Sequence, residues 1–329
     1  MAKLPKEERQ ALARHRLAKV LRTAKLATWR TLEQKISDAG PGHMRIDPHA
    51  LTEARNSLLD TGVLVRKKEA FTYFHLESVQ PDELAAKLQV IRPLWAEISK
   101  QEVTMRMGQA LEIAAYRAFV QQPLFNTFGG FLDLESHDDS TLYKKEEPPS
   151  SISGRTCNGK LDFLLTCSGD LAGVELKNIR EWLYPDRKEV RDLIQKCLAL
   201  DAVPVLIGRR IPYVTFRLLN TCGVIIHQTY NQLYANADAD LAARVKDKNL
   251  MGFHDVHVRN TPDARPLKFV NVNLPSLVGS MRPRFDEYRD LLEGFVSNTL
   301  PYPEFAARVR RRAAGTDEDS DWTEESEGE

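Results

Sequence analysis

From Leu161 to His227 the chain alternates short apolar runs with helical segments, and that alternation constrains the fold more than any other feature. LDFLL and AGVEL flank a tight turn, a helical stretch runs from about Arg187 to Leu200, AVPVLIG is a strand, YVTFRLLNT a helix and GVIIH a further strand. Strands that alternate with helices pack as α/β layers, and runs rich in Val, Ile and Leu belong to a sheet covered on both faces. The preceding segment EVTMRMGQALEIAAYRAFVQQ, ended by Pro123, is strongly helical and opens this part of the chain.

A covered sheet makes its charged residues informative, because charges are seldom buried unless paired or bound to a metal. In NGKLDFLLTCSGDLAGVELKN these are Asp162, Glu175 and Lys177. Glu175 and Lys177 are two apart and share one face of their strand. If the turn is the two-residue loop Ser168-Gly169, Asp162 lies opposite Glu175; if it is Gly169-Asp170, opposite Lys177; a regular three-residue loop sends it to the other face. Gly-containing pairs are common two-residue turns, so the sequence favours convergence. Two carboxylates suit a hard cation such as Mg²⁺, which polarises a phosphoryl group and acidifies a bound water, while a nearby lysine orients the water and counters developing charge.

Asp162, twelve intervening residues and then Glu175-Leu176-Lys177 resemble the D…(D/E)xK signature of the PD-(D/E)xK, or restriction-endonuclease-like, nuclease superfamily, without the proline that often precedes the first acid: Leu161 stands there. The order of helices and strands over roughly residues 102–230 is also similar to that family's core. The resemblance implies an α/β core with a mixed central sheet, Mg²⁺ as cofactor with Mn²⁺ as substitute, and cleavage of DNA as an endonuclease. It further implies Asp162 and Glu175 as metal ligands, Lys177 as the residue orienting water, and Glu112 on the first core helix as a supporting acid and metal ligand. Gln195 and Lys196 fall where the family places residues that support the site.

The N-terminal segment has a different organisation. Residues 8–26 carry a stripe of Leu12, Leu17, Val20 and Leu21, TWRTLEQKIS is a second helix, and Asp47-Pro48 opens a third that stops at Gly62. Two β-type runs around KKEA follow, and three helices with a hairpin resemble a winged helix-turn-helix, whose third helix enters the major groove. Residues 1–78 hold 15 basic and 9 acidic side chains. Arg55 and Asn56 on the third helix are expected to contact DNA, with Arg66, Lys67 and Lys68 on the wing touching phosphates.

The expected layout is a winged helix over 1–78, a connecting helix over 79–101, a nuclease-like domain with a C-terminal extension over 102–312 and a disordered acidic tail over 313–329. Residues 316–329 contain eight acids and no Lys or Arg, so the overall balance of 46 basic and 46 acidic residues conceals a basic body. No apolar stretch approaches the ~18 residues of a membrane span, and no signal-peptide region is visible, so no membrane association and a cytoplasmic location are expected. Four dispersed cysteines encode neither a disulfide framework nor a zinc ribbon. The expected partner is DNA, with a homodimer if both strands are cut. The rival expectations are a non-catalytic DNA-binding regulator on the same fold and an RNA nuclease.

Overall fold

A computed structural model describes residues 4–37, 46–136 and 140–316. The acids of the expected tail, from residue 317 onward, lie outside the described residues, and residues 313 and 314 end the last helix. In chain order the elements begin with Lys6–Ala24 (α1), Leu26–Ala27 (β1), Trp29–Ile36 (α2), Pro48–Asp60 (α3), Leu64–Lys68 (β2), Thr72–Leu76 (β3), Pro81–Ile98 (α4) and Gln101–Phe119 (α5). Short strands follow at Asn126–Phe128 (β4), Gly130–Phe131 (β5), Lys145–Glu146 (β6), Ser151–Ile152 (β7) and Arg155–Thr156 (β8). Then come Phe163–Cys167 (β9), Asp170–Lys177 (β10), Lys188–Leu200 (α6), Val203–Gly208 (β11), Tyr213–Thr221 (α7), Ile225–Gln228 (β12) and Gln232–Tyr234 (β13). The chain closes with Ala239–Lys246 (α8), Val256–Val258 (β14), Ala264–Lys268 (α9), a π-turn at Phe269–Asn273, Leu274–Glu287 (α10), Arg289–Val296 (α11) and Tyr302–Ala314 (α12).

The chain divides into two compact units, one of residues 1–105 with 238–258, the other of 106–237 with 259–329. In the first, α2 starts at Thr28, whose hydroxyl accepts from the Thr31 amide, and α3 starts at Asp47, whose carboxylate accepts from the Ala50 amide at 2.8 Å with Pro48 next to it. Both caps satisfy amides that a helix start leaves unpaired. Ala13, Leu17 and Leu21 of α1 pack with Leu51 and Ala54 of α3 and with Phe74 and Leu76 of β3. The strands form an antiparallel sheet in the order β1-β3-β2. The segment 238–258, which its position in sequence assigns to the second domain, belongs instead to this unit: Leu250 packs against the cluster of Leu26, Phe71, Tyr73, Leu88 and Ile91, and Arg244 pairs with Glu97 at 2.6 Å.

In the second unit a five-stranded sheet runs β12-β11-β10-β9-β4, with β10, β11 and β12 parallel and β9 antiparallel to both β10 and β4. It is therefore a mixed sheet, and α6 and α7 make the crossovers that parallel neighbours require. Ala110, Leu111, Ala114 and Phe119 of α5 and Leu274 and Val278 of α10 cover one face, against Phe163, Leu165, Val174 and Val205. Leu193, Ile194 and Cys197 of α6 cover the other, against Leu164 and Leu206. All four cysteines are free and buried. Two local readings change. KFVNVNL, which alternates like a strand, is helical through the π-turn, and QTYNQLYAN, which reads as a helix start, contains β13. In the first, the buried residues are Phe269, Val270 and Leu274 while Val272 is exposed, so burial follows a helix and not the period-two pattern.

Candidate active site

The turn that decides the register is Ser168-Gly169, with φ of 53° and 93° at the two positions, and Cys167 pairs with Asp170 across it. Positive φ at both central residues matches the right-handed twist of the flanking strands. The register carries on to Val174 opposite Phe163 and then breaks: the Asp162 amide donates to that same Val174 carbonyl at 3.1 Å, one residue out of step with the ladder, so Asp162 sits in a bulge beside Val174 instead of pairing with Glu175, with its charge still reaching Glu175. There the first strand ends. The Asp162 carboxylate accepts from the Leu176 amide at 2.7 Å through Oδ2, supplying the acceptor that a continuing strand would have provided. Its carboxylate thus closes the ladder at the sheet's end.

Glu175 and Lys177 follow on β10. Glu175 is 7% exposed, its Oε1 accepts from Lys177 Nζ at 2.5 Å, and its Oε2 lies 3.4 Å from Lys196 Nζ. Lys196 also donates to the Lys160 carbonyl at 2.6 Å. Helix α6 brings this lysine in because it approaches β10 closely at Gly173, where a Cβ would stand 2.6 Å from Cys197 Sγ. From α5, on the other face, Glu112 reaches the same end of the sheet. Lys145 of β6 joins the two acids, with Nζ 2.8 Å from Glu112 Oε2 and 3.3 Å from Asp162 Oδ1.

Electrostatics follow from this crowding. Burial, then the Asp162 charge, raises the proton affinity of both Glu112 and Glu175. Burial works against the Lys177 ammonium, but Glu175 and Asp162 outweigh it, so its pKa is raised and the side chain is charged at neutral pH. Lys145 is raised in the same way, with burial opposed by Glu112 and Asp162. Beyond the lysine, Asn178 fixes the end of β10: its Nδ2 donates to the carbonyls of Met107 and Leu233 at 2.6 and 2.7 Å, and its Oδ1 accepts from the Leu233 amide.

Glu112, Asp162, Glu175, Lys177 and Lys196 therefore come together, while Gln195 is exposed on α6. Lys145 is the member that sequence reasoning missed. The only signal was a lysine pair, Lys144-Lys145, in a loop-rich passage without periodicity. In the first unit, Arg66, Lys67 and Lys68 are exposed on β2. Asn56 is also exposed, but Arg55 is half-buried, its guanidinium 4.4 Å from the Trp29 ring centre and bonded to Asn56 Oδ1.

The donors suit a hard cation, since Asp162 and Glu175 offer carboxylate oxygens whose mutual repulsion a cation would relieve. Among the described residues, however, no three His, Cys, Asp or Glu side chains are grouped to hold a metal ion, and lysines carry the counter-charge. Among those residues, too, no helix is long and apolar enough to cross a membrane. No family model, curated protein or solved structure matches the chain.

Proposed function

We propose that the protein is a metal-dependent nuclease that hydrolyses phosphodiester bonds of DNA as an endonuclease, and that the α1–α3 and β1–β3 assembly is a winged helix that binds the substrate. The observation that carries the reading is the convergence of Asp162, Glu175 and Lys177 at the end of one hairpin, where the Asp162 charge acts on both Glu175 and Lys177 and Lys177 is bonded to Glu175. Asp162 and Glu175 would hold Mg²⁺ or Mn²⁺, with Glu112 in support, and the ion would neutralise phosphate charge and lower the pKa of water.

The chain's own groups have definite tasks. Lys177, kept charged by Glu175 and Asp162, donates a hydrogen bond that orients the attacking water and offsets charge growing on the phosphate. Lys196 holds Glu175 from the other side and ties it to the Lys160 carbonyl. The lodging of Lys145 between two of the acids favours the rival reading of a non-catalytic DNA-binding protein. Incubating the purified protein with DNA and with RNA, in Mg²⁺, Mn²⁺ or EDTA, separates the readings. Cleavage of DNA with either cation and none in EDTA is expected; cleavage in EDTA, or none in any condition, overturns the proposal, and preferential cleavage of RNA reassigns the substrate.

A further inference from the structure

Lys145 lies outside the motif, yet its ammonium meets two of the acids. Its side chain is 15% exposed and its Nζ sits between Glu112 and Asp162, the two carboxylates that come from different elements. The Phe163 ring, 5.7 Å from the ammonium, backs it on the sheet side. Its strand has a fixed seat: Lys145 pairs with Phe131 on β5, and the neighbouring Gly130 lies so close to α5 that a Cβ there would be 2.8 Å from the Tyr116 ring. The backbone beneath Lys145 is thus held, while four rotatable bonds leave its head free to withdraw. A two-stranded ribbon of two residues each owes its order to such packing.

An ammonium and a divalent cation compete for the same carboxylate oxygens. We propose that Lys145 is a built-in competitor for the cation, setting the affinity of the acidic cluster by occupying the space between Glu112 and Asp162 and leaving it when a divalent ion binds. The inference rests on the reading of Asp162 and Glu175 as cation ligands. It makes the site responsive to cation concentration: the acids keep a positive partner at low concentration and exchange it at high.

The test is Mn²⁺ binding by isothermal titration calorimetry, read without any nucleic acid, for the parent, Lys145→Met, Lys145→Arg and Asp162→Asn. Lys145→Met keeps the apolar stem and removes the charge, and should tighten Mn²⁺ binding by about tenfold or more, since close charge pairs couple by about 1.5 kcal/mol upward and 1.4 kcal/mol is tenfold. Lys145→Arg should bind no tighter than the parent. Thermal melts supply a second readout: with its acids unpaired, Lys145→Met should melt lower than the parent in EDTA and gain more from Mn²⁺. Equal or weaker binding by Lys145→Met, with parent binding abolished in Asp162→Asn, overturns the competitor role and leaves the metal-site reading intact. Absence of Mn²⁺ binding in all four proteins, or binding indifferent to Asp162→Asn, overturns both.

Discussion

A single side chain shows how the site is built: Asp162 both ends a strand and joins the charged cluster, because its Oδ2 takes the Leu176 amide while Oδ1 meets Lys145. Asp162→Asn and Lys177→Ala should each lower single-turnover DNA cleavage by on the order of 10²-fold or more, with DNA affinity little changed; turnover near the parent's in either would show that the site is misplaced. His227 offers a separate test of the second unit. Burial, and after it Arg265, depresses its pKa to about 4, while its ring stacks on Phe269 at 4.1 Å. Between pH 6.5 and about 4 the unfolded chain therefore takes up a proton that the folded chain refuses, so stability is present above this window and falls with pH through it, by up to about 3 kcal/mol. His227→Phe keeps the stack and should lose that part of the slope in denaturant melts from pH 7 to pH 4.5; identical slopes would refute the assignment. The motif acids were legible in the sequence because charges inside apolar runs are costly and thus conspicuous. Lys145 was not legible, since its role depends on a loop folding back to α5 and on no local pattern.

Among elements, the approach of α6 to β10 decides where Lys196 stands, and Gly173 permits it. Gly173→Ala should cost about 1–3 kcal/mol by overpacking against Cys197, and adding Cys197→Ala should recover part of that loss in equilibrium unfolding. If the double variant is no more stable than Gly173→Ala, crowding at Sγ is not the source of the cost. The helices of the hairpin-helix-strand core were legible from apolar spacing, while the sequence narrowed the turn to Ser168-Gly169 or Gly169-Asp170 and the pairing of Cys167 with Asp170 selects the first. The segment Phe269–Asn273 misleads because Val and Asn alternate, yet Pro275 and burial of Phe269, Val270 and Leu274 act together on a helical path. Tertiary packing there overrides the strand preference of valine.

At the scale of the whole molecule, the β2–β3 hairpin and the acidic cluster lie in different compact units, which gives the proposed binding and the proposed chemistry separate tests. Replacing Arg66, Lys67 and Lys68 together by alanine should weaken DNA binding and flatten its salt dependence, by ~0.9 in slope for each phosphate that no longer meets a basic side chain, with cleavage at saturating protein little changed. An unchanged affinity and salt slope would remove the β2–β3 hairpin from the interface and favour a protein-docking role for that unit. What the sequence concealed at this scale is ownership of residues 238–258: the stripe Leu241, Ala242 and Val245 shows that α8 is buried on one side, but not against which core. Because that segment completes the first unit, the two units interleave in the order of synthesis, and residues 106–237 of the second are made before the first is complete. At about 5–20 residues per second, roughly 8–30 seconds separate the emergence of residue 105 from that of residue 258. During this interval the face that will receive Leu250 and the Lys248 carbonyl, the partner of Lys35, is still waiting for them. The N-terminal unit begins to be made first and is finished late, so a stalled or truncated chain would carry its exposed apolar surface at the very end that was synthesised earliest.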